Sequence, residues 1–262
     1  MTKVAVLGAG GRMGLTVCRA VVDAPDLELV AAVDPYGDGA ELAHLGVPRT
    51  DLQLADAIDV LADAGAEVAV DFTVIDAARA NLAWCADHGV HAVVGTTGFS
   101  PEELDELGRR FDASAANAIV APNFTIGAIL MMRFAELAAP WFETAEVVEL
   151  HHDRKIDAPS GTAMLTAQRM AAASGEWGRD PTEKVVADGA RGGKVGGVGV
   201  HSLRLRGVFA HQEVVLGTEG QTLTIRHDSF DRSAYMPGVL LAVREVAQRP
   251  GLTVGLDALL GL

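Results

Sequence analysis

Between residue 3 and about residue 124, apolar residues form short, nearly continuous runs that alternate with helical patterns. The runs are KVAVLG (3–8), LELVAAVD (27–34), EVAVDFT (67–73), HAVVGTT (91–97) and NAIVAP (117–122). Such runs are typical of parallel strands buried on both faces, because a half-exposed strand would alternate apolar and polar residues. Between two of them, Ser100-Pro101-Glu102-Glu103 combines a capping box with an early proline, which predicts a helix start. The alternation of strands and helices predicts a doubly wound α/β domain.

The pattern changes after Asn123. It then predicts, in chain order, a helix from Thr125 to about Phe142, a strand at AEVVELHH (145–152), a helix from about Gly161 to Ser174, strands at HSLRLRG (201–207), HQEVVLG (211–217) and QTLTIRHDS (221–229), and a last helix from about Ser233 to Gln248. The segment Thr218-Glu219-Gly220 indicates a hairpin between the last two strands. Because no helices separate the strands after residue 200, they predict an open antiparallel or mixed sheet in a second, α+β domain.

Residues 189–199 contain six glycines, at positions 189, 192, 193, 196, 197 and 199. Glycine loses more conformational freedom on ordering than any other residue, so this density favours a mobile loop over an ordered element. The sequence leaves open whether the loop is a linker or a lid over a site.

Composition narrows the class of protein. The chain has 262 residues and a formal net charge of −14, which gives little electrostatic support to a nucleic-acid or anionic-membrane partner. No apolar stretch reaches the roughly 18 residues of a membrane span, and the first apolar run is too short for a signal peptide. We therefore expect a cytoplasmic protein. The two cysteines, Cys18 and Cys85, lie inside apolar helical patterns and are expected to be core thiols.

A glycine-rich turn follows the first predicted strand directly and opens an amphipathic helix. It comprises Gly8, Ala9, Gly10, Gly11, Arg12 and Met13, followed by Gly14. Glycines allow a tight turn and let backbone N–H groups approach a pyrophosphate at the helix start. The spacing departs from G-x-G-x-x-G, since Met13 holds the last position, but the placement between strand and helix predicts a dinucleotide site.

The second strand ends at Asp34, where an acid can accept hydrogen bonds from an adenosine ribose. A carboxylate there would repel a 2′-phosphate, so NADH is expected to serve at least as well as NADPH. Arg12 leaves use of both cofactors open. If Asp34 does not bind a ribose, it is expected to be an acidic loop residue exposed to solvent.

Other strand ends are expected to line the nicotinamide half of the same crevice, because ligands of open α/β sheets bind beyond the carboxyl ends of the strands. These ends supply Phe72, Thr73, Gly95, Thr96, Thr97, Ala121, Pro122, Asn123 and Phe124. Each segment alone could be only a turn.

The stretch ELHHDRKIDAPSGTA (149–163) concentrates positive and titratable groups in an acidic chain. Side chains on a strand alternate faces, so His151 and His152 can share a pocket only if the strand ends there; otherwise one of them is structural. Ser160 is a plausible N-cap of the following helix. Together with Lys155, this stretch indicates an anion site beside a titratable histidine. No cysteine or H-x-x-x-H spacing accompanies the pair, so no metal is expected.

Several stretches together resemble the 4-hydroxy-tetrahydrodipicolinate reductase family, long called dihydrodipicolinate reductases. They are GAGGRMG (8–14), GTTGF (95–99), APNF (121–124), ELHHDRKIDAPSGTA (149–163) and GTEGQTLTIRHDS (217–229). The resemblance covers essentially the whole chain and looks like the actinobacterial branch. It implies NADH- or NADPH-dependent reduction of 4-hydroxy-2,3,4,5-tetrahydrodipicolinate, via dihydrodipicolinate, to tetrahydrodipicolinate in diaminopimelate and lysine biosynthesis.

The resemblance also implies residue roles and an architecture. His151 would be the acid/base residue, Lys155 its proton-donating partner, and His152, Gly161 and Thr162 would hold the carboxylates of a small dicarboxylic imine. A Rossmann domain (1–124 and 234–262) would bind the dinucleotide. A mixed-sheet domain (125–233) would bind the substrate and assemble a homotetramer.

Two other functions are compatible with parts of the sequence. Aspartate-semialdehyde dehydrogenase, another two-domain reductase, needs a nucleophilic cysteine, and neither Cys18 nor Cys85 lies in a reactive setting. A dinucleotide-sensing regulatory protein would need the glycine turn but has no use for His151, Lys155 and the anion site.

Overall fold

The computed structural model describes residues 1–37 and 39–262. The chain divides into two compact units, one comprising Met1–Thr125 and Tyr235–Leu262 and the other Ile126–Ala234. Among the described residues, no helix is both long enough and apolar enough to cross a bilayer.

The first unit contains a sheet of six parallel strands within the described residues. They are β1 (Thr2–Leu7), β2 (Leu27–Val33), β3 (Val68–Asp71), β4 (His91–Val94), β5 (Ala118–Val120) and β11 (Leu252–Val254), in the spatial order β11-β5-β4-β3-β1-β2. Each pair of neighbouring strands in this sheet is parallel, and β3 is buried along its whole length, as the continuous apolar runs predict. The strands end one to three residues before the apolar runs do, because the last residues turn into loops at the carboxyl edge.

Helices connect and cover the strands of this unit. They are α1 (Arg12–Asp23), α2 (Val60–Asp63), α3 (Ile75–His88), α4 (Pro101–Asp112), α7 (Met236–Glu245) and α8 (Asp257–Leu260). The helix start at Ser100 is confirmed, since its side chain accepts a hydrogen bond from the Glu103 N–H and Glu103 accepts one from the Ser100 N–H. The helix α7 is flanked by 3₁₀ turns at Arg232–Tyr235 and Val246–Gln248. The expected doubly wound fold is therefore confirmed.

The strand order reverses between β1 and β3. The chain runs outward from β1 to β2 on one side and from β3 to β4 and β5 on the other. At such a reversal the loops leaving neighbouring strands diverge and open a crevice above the carboxyl ends.

The second unit contains a mixed sheet. Its strands are β6 (Thr144–His151), β7 (Gly193–Val195), β8 (Val198–Arg204), β9 (Ala210–Thr218) and β10 (Gln221–Ser229), in the spatial order β10-β9-β6-β8-β7. The strands β6 and β8 are parallel, and the other pairs are antiparallel. The expected mixed sheet and the hairpin around Gly220 are both confirmed.

Two helices, α5 (Ile126–Ala138) and α6 (Gly161–Ala173), pack on one face of this sheet, which we call the inner face. A 3₁₀ turn, Ala139–Trp141, follows α5. The core between helices and sheet is built mainly from alanine, valine and methionine side chains, among them Ala163, Ala167, Met170, Val147, Val200 and Val214. Because side chains alternate along β6, every second residue of this strand points into that core.

The expectation of a mobile loop at residues 189–199 is wrong for its second half. There β7 and β8 pair as an antiparallel hairpin, in which Val195 opposes Val198 and only Gly196 and Gly197 form the turn. Both glycines have positive φ, at 57° and 95°, as two-residue hairpin turns that match the sheet twist require. These glycines therefore define an ordered turn.

The same glycines also allow close packing. A Cβ at position 196 would lie 2.4 Å from the Ala171 Cβ, and one at position 197 would lie 2.7 Å from the Trp177 ring. A Cβ at Gly199 would lie 1.8 Å from a carboxylate oxygen of Glu146. A high density of glycines is therefore not sufficient to predict a mobile loop, because glycine is also required where the backbone packs too closely for a side chain.

Candidate active site

The glycine turn joins β1 to α1 with little space for side chains. Gly8 has a φ of 75°, and a Cβ there would lie 2.9 Å from the Phe72 carbonyl oxygen. A Cβ at Gly14 would lie only 2.0 Å from the Gly8 carbonyl oxygen. Gly14 thus serves the close helix–strand packing that the sixth position of G-x-G-x-x-G usually serves, one residue later than expected. Met13 is half-buried and does not take that role.

Asp34, directly after β2, is held against this turn. Its Oδ2 accepts a hydrogen bond from the Gly10 N–H at 3.0 Å, and its Oδ1 accepts one from the Tyr36 N–H at 3.0 Å. Each carboxylate oxygen retains acceptor capacity for a hydroxyl group. The structure therefore brings the predicted acid to the glycine turn.

The start of α1 is suited to an anion. Gly11 is the N-cap, no side chain caps the helix, and no acidic residue lies in its first turn. The first N–H groups of a helix have no intrahelical partner, and the helix dipole favours negative charge there. Arg12, at the first helical position, is exposed.

A buried acid that the sequence did not reveal organises the next strand ends. Asp71, the last residue of β3, is 2% exposed. Its Oδ1 accepts hydrogen bonds from the Thr73 N–H at 2.8 Å, the Thr73 hydroxyl at 2.7 Å and the Thr96 hydroxyl at 3.1 Å. Its Oδ2 accepts one from the Asn81 amide at 2.7 Å. Asp71 thereby ties the segment after β3 to the segment after β4.

Aromatic packing defines the same edge. The rings of Phe72 and Phe124 lie 5.9 Å apart, and a Cβ at Gly95 would lie 2.1 Å from the Phe72 ring. Ala121 and Phe124 are buried, whereas Thr97 and Pro122 are exposed, and the Asn123 side chain accepts a hydrogen bond from the Thr125 N–H. All the predicted cofactor residues thus follow the carboxyl ends of β1 to β5.

Neither cysteine of the chain is a nucleophile. Cys18 and Cys85 are buried, and burial raises the pKa of each thiol to about 12. A thiol with such a pKa is almost wholly protonated at neutral pH.

In the second unit, β6 ends at His151. This answers the question raised by the adjacent histidines, because His152 lies beyond the strand and is not bound by its alternation. His151 shares the inner face with Glu149, two residues earlier, which is fully buried.

Both carboxylate oxygens of Glu149 are engaged. Oε2 contacts His151 Nδ1 at 2.5 Å and accepts from Arg204 Nη1 at 2.8 Å. Oε1 accepts from Arg204 Nη2 at 2.8 Å and from the Ser160 N–H at 3.1 Å, and Ser202 contributes a further hydrogen bond. Burial alone would raise the pKa of Glu149, but the hydrogen bonds from His151 and Arg204 lower it to about 2. The carboxylate is therefore ionised and accepts from every partner.

The loop after β6 carries the other predicted residues. His152 Nδ1 accepts a hydrogen bond from the Arg154 N–H at 3.2 Å, so its Nε2 carries the ring proton. Lys155 Nζ lies 2.7 and 2.9 Å from the carboxylate oxygens of Asp157, and this bond lowers the Asp157 pKa. Arg204 Nη2 donates to the Asp157 carbonyl oxygen at 2.6 Å.

The helix α6 starts beside this loop. Ser160 is its N-cap, as predicted, and its hydroxyl accepts a hydrogen bond from the Ala163 N–H at 3.2 Å. Gly161 and Thr162 are the first two helical residues, and no acidic side chain lies in the first turn. A Cβ at Gly161 would meet no atom within 4 Å. This helix start offers backbone donors to an anion next to His151 and His152.

The sequence reasoning missed Glu149, Asp157 and Arg204, although the first two lie inside the quoted motif. The available signal was the period of two, which places Glu149 on the same face as His151. Arg204 lies 55 residues away, and only the parallel pairing of β6 with β8, in which His151 opposes Arg204, brings it close.

Comparisons with known proteins agree with the geometry of both units. Family models described as dihydrodipicolinate reductase, N-terminus and C-terminus, match residues 2–124 and 127–260. The chain is 52% identical to the 4-hydroxy-tetrahydrodipicolinate reductase of Cutibacterium acnes over 100% of both chains. It is also 52% identical to that of Nocardia farcinica over 99% of both.

A solved structure, the dipicolinate-bound dihydrodipicolinate reductase from Paenisporosarcina sp. TG-14, superposes with a TM-score of 0.87 at 37% identity. The match covers 98% of this chain and 99% of that one. With two family models spanning nearly all its residues, the chain belongs to the dihydrodipicolinate reductase family.

Proposed function

We propose that the protein reduces 4-hydroxy-2,3,4,5-tetrahydrodipicolinate, via dihydrodipicolinate, to tetrahydrodipicolinate with NADH or NADPH, in diaminopimelate and lysine biosynthesis. Family membership supports the reaction. The observation that carries it is the site at the end of β6. There His151, Lys155 and a helix start without acidic residues follow one another along the chain. They fit the reduction of a dicarboxylic imine, which needs a proton donor and donors to the carboxylates.

The first unit fits a dinucleotide. The close approach at Gly8, Gly10 and Gly14 leaves backbone rather than side chains facing the start of α1, where a pyrophosphate would lie. The residues that we propose to hold the cofactor are Gly8, Ala9, Gly10, Gly11, Arg12, Met13, Asp34, Phe72, Thr73, Gly95, Thr96, Thr97, Ala121, Pro122, Asn123 and Phe124. When bound, the reduced nicotinamide supplies the hydride that adds to the substrate ring.

Asp34 sets the expected cofactor preference. Its carboxylate accepts from two backbone N–H groups and would take the ribose hydroxyls, but it would repel a 2′-phosphate. NADH should therefore support turnover at least as well as NADPH. One charge contact of about 1–2 kcal/mol corresponds to roughly an order of magnitude in affinity.

The second unit supplies the carboxylate contacts. His152 Nε2–H points away from the Arg154 N–H that occupies Nδ1, so it can donate to a carboxylate oxygen. Gly161 and Thr162 provide backbone donors at the start of α6, and Thr162 adds a hydroxyl. These donors orient the dianion and offset its charge in an otherwise acidic chain.

Protonation falls to His151 and Lys155. Hydride addition leaves an enamine-like anion on the substrate, which must take up a proton. The Lys155 ammonium is held by Asp157 at 2.7 Å and would turn from it toward an anionic substrate. His151 and Lys155 are thus the proposed catalytic pair.

We also propose a homotetramer assembled through the second unit. The sheet face opposite α5 and α6, which we call the outer face, carries the partly exposed apolar residues Val148, Leu150, Leu203 and Val215. The edge strand β10 has an exposed first half. Such a face and edge favour association. Light scattering that finds a stable monomer at micromolar concentration would exclude this assembly.

We also assign the enzyme to the cytoplasm, because reduced nicotinamide cofactors are supplied in that compartment.

The reaction is tested by following nicotinamide oxidation with freshly prepared dihydrodipicolinate, with NADH and NADPH compared at equal concentration. Turnover with NADH is expected, and no oxidation with either cofactor would refute the proposal. A second measurement separates catalysis from mere sensing of a dinucleotide. Pyridine-2,6-dicarboxylate should raise the melting temperature when NADH is present, which a dinucleotide sensor without a substrate site would not show.

A further inference from the structure

Glu149 lies between the three parts of the proposed substrate site. Its carboxylate contacts His151 at the end of β6, the Ser160 N–H at the start of α6, and both terminal nitrogens of Arg204. Arg204 in turn donates to the Asp157 carbonyl in the loop that carries Lys155. One fully buried side chain therefore connects the histidine, the helix start and the lysine loop.

The hydrogen bonds of Glu149 also determine the tautomer of His151. Arg204 and the Ser160 N–H can only donate, so each oxygen of Glu149 acts as an acceptor toward them. A neutral His151 with a lone pair on Nδ1 would then face an acceptor oxygen at 2.5 Å, which is repulsive. The proton therefore lies on Nδ1. Among the described residues, Nε2 of His151 has no hydrogen-bond partner, so it is the nitrogen left to exchange a proton.

We propose that Glu149 is the positioning residue of the substrate site: it fixes the proton on Nδ1 of His151, so that Nε2 exchanges the proton during reduction. The inference rests on the proposed function. In the protonation step, the Nε2–H bond of the imidazolium breaks and the proton binds the electron pair of the substrate anion. The products are the reduced dicarboxylate, which has lost the extra negative charge of its ring, and a neutral Nδ1–H imidazole, which is the form that Glu149 favours.

The adjacent histidine provides an internal reference. His152 accepts a hydrogen bond at Nδ1 and so carries its proton on Nε2, the opposite tautomer. The ¹⁵N chemical shifts of the two ring nitrogens distinguish these tautomers. In the full-length wild-type protein labelled with ¹⁵N-histidine and assigned with His151→Gln and His152→Gln variants, neutral His151 should show the Nδ1–H pattern and His152 the Nε2–H pattern. An Nε2–H pattern at His151 would overturn the proposal without any variant of Glu149.

Glu149→Gln tests the consequence for catalysis. Arg204 Nη2 and the Ser160 N–H both donate at the Oε1 position, whereas at Oε2 Arg204 supplies one donor, Nη1. The glutamine oxygen should therefore take the Oε1 place, and its NH₂ should face His151 Nδ1 and give up the bond from Arg204 Nη1. This arrangement forces the proton onto Nε2 of the neutral ring. We expect kcat to fall on the order of 10²–10⁴-fold, the size found when a catalytic histidine is held in the wrong tautomer. NADH affinity, measured separately, should stay within about twofold.

Glu146→Gln is the matched control. Glu146 lies on the same strand and also contacts a histidine, His201, at 2.7 Å and an arginine, Arg191, at 2.6 Å, but on the outer face. Its kcat should stay within about twofold of wild type, with the same light-scattering mass. Glu149→Asp keeps the charge and should retain the Nδ1–H tautomer and more activity than Glu149→Gln. Equal kcat in wild type and Glu149→Gln would refute the positioning role.

The remaining outcomes also decide between explanations. If circular dichroism shows that Glu149→Gln does not fold, the wild-type tautomer and the Glu149→Asp kinetics settle the question. If the wild type shows the expected tautomers but does not oxidise NADH with dihydrodipicolinate, the proposed function fails while the positioning geometry stands.

Discussion

The strand β6 carries two clusters of the same three residue types on its opposite faces. On the inner face, Glu149 contacts His151 and Arg204; on the outer face, Glu146 contacts His201 and Arg191. Each cluster is accompanied by a lysine–aspartate pair: Lys155 with Asp157 inside, Lys194 with Asp180 outside. The two clusters differ in what surrounds the glutamate.

Glu149 is fully buried, bidentate with its arginine and bonded to a helix start, and its pKa falls to about 2 although burial opposes this. Glu146 keeps about a third of its side chain exposed. Burial raises its pKa, but the hydrogen bonds from His201 and Arg191 outweigh burial and leave the pKa below its ordinary value. The histidine ring of the inner cluster bonds through Nδ1, and its Nε2 has no hydrogen-bond partner within residues 1–37 and 39–262, whereas His201 bonds through Nε2. Residue types alone thus do not distinguish the proposed proton-transfer site from the ion network on the outer face, whereas burial and the hydrogen bond to a helix start do.

The largest expected difference between the clusters is in turnover. His151→Ala and Lys155→Ala should each lower kcat by on the order of 10²–10⁴-fold, because each removes a group that we propose to deliver or relay the proton. His201→Ala and Lys194→Ala should change kcat by no more than about twofold, because both side chains belong to the outer cluster and neither lies in the proposed substrate site. Steady-state kinetics on the four variants, with NADH affinity measured separately, makes the comparison. Near-wild-type turnover in both inner variants would leave the motif as a binding element only.

Stability should separate the two glutamates next. Glu149→Ala leaves Arg204 in a largely buried site without its carboxylate, which costs about 3–5 kcal/mol in the free energy of unfolding. Glu146→Ala removes a partly solvated pair and should cost about 0–1 kcal/mol. Urea unfolding at neutral pH measures both values. If both variants lost the same free energy of unfolding, burial of the inner cluster would make no additional contribution to stability.

The contribution of the inner cluster to the free energy of unfolding should decrease over a defined pH range. The pKa of Glu149 is depressed in the folded protein from 4.5 to about 2, so its contribution is fully present above the unfolded value and is lost as pH falls toward the folded value. The shift corresponds to about 3 kcal/mol, of which about 2 kcal/mol should be lost by pH 3. The stability advantage of wild type over Glu149→Gln, measured by urea unfolding at pH 5, 4 and 3, should shrink accordingly. An advantage that does not change with pH would contradict the ionised carboxylate.

The smallest effect concerns His152, which has no counterpart in the outer cluster. Its Nε2–H is proposed to bind a carboxylate equally in the ground and transition states, so His152→Ala should raise KM more than it lowers kcat. The loss of one hydrogen bond to a charged group, about 1.5–3 kcal/mol, corresponds to roughly a 10- to 100-fold increase in KM. A kcat decrease larger than the KM increase would instead place His152 with His151 in the proton transfer.

Most of the fold was accessible from the sequence because its signals are local. The apolar runs at 3–8 and 67–73 read directly as parallel strands, and Ser100 with Glu103 reads as a capping box. The hairpin at Gly196-Gly197 was missed because glycine density alone does not distinguish a tight, packed turn from a mobile loop.

Only part of the candidate site could be predicted from the sequence, because its remaining residues are brought together by contacts that are distant along the chain. Alternation along β6 gives one glutamate to each face, and a period of two does not say which face the helices cover. The choice depends on Arg204, whose position is set by pairing across a long segment of chain. Asp71 lies inside the apolar run at 67–73, and its role is not visible in the sequence, because the Thr96 and Asn81 groups that enclose it lie elsewhere in the chain.

Asp71 has a mechanical consequence. Its Oδ1 accepts hydrogen bonds from both the Thr73 and the Thr96 hydroxyls, so the loops after β3 and β4 are linked and should move together. A molecule that displaces one loop must carry the other with it or break a buried hydrogen bond. The two loops should therefore respond to a ligand as one rigid segment. When a dinucleotide binds to the first unit, amide hydrogen exchange should slow in both loops together.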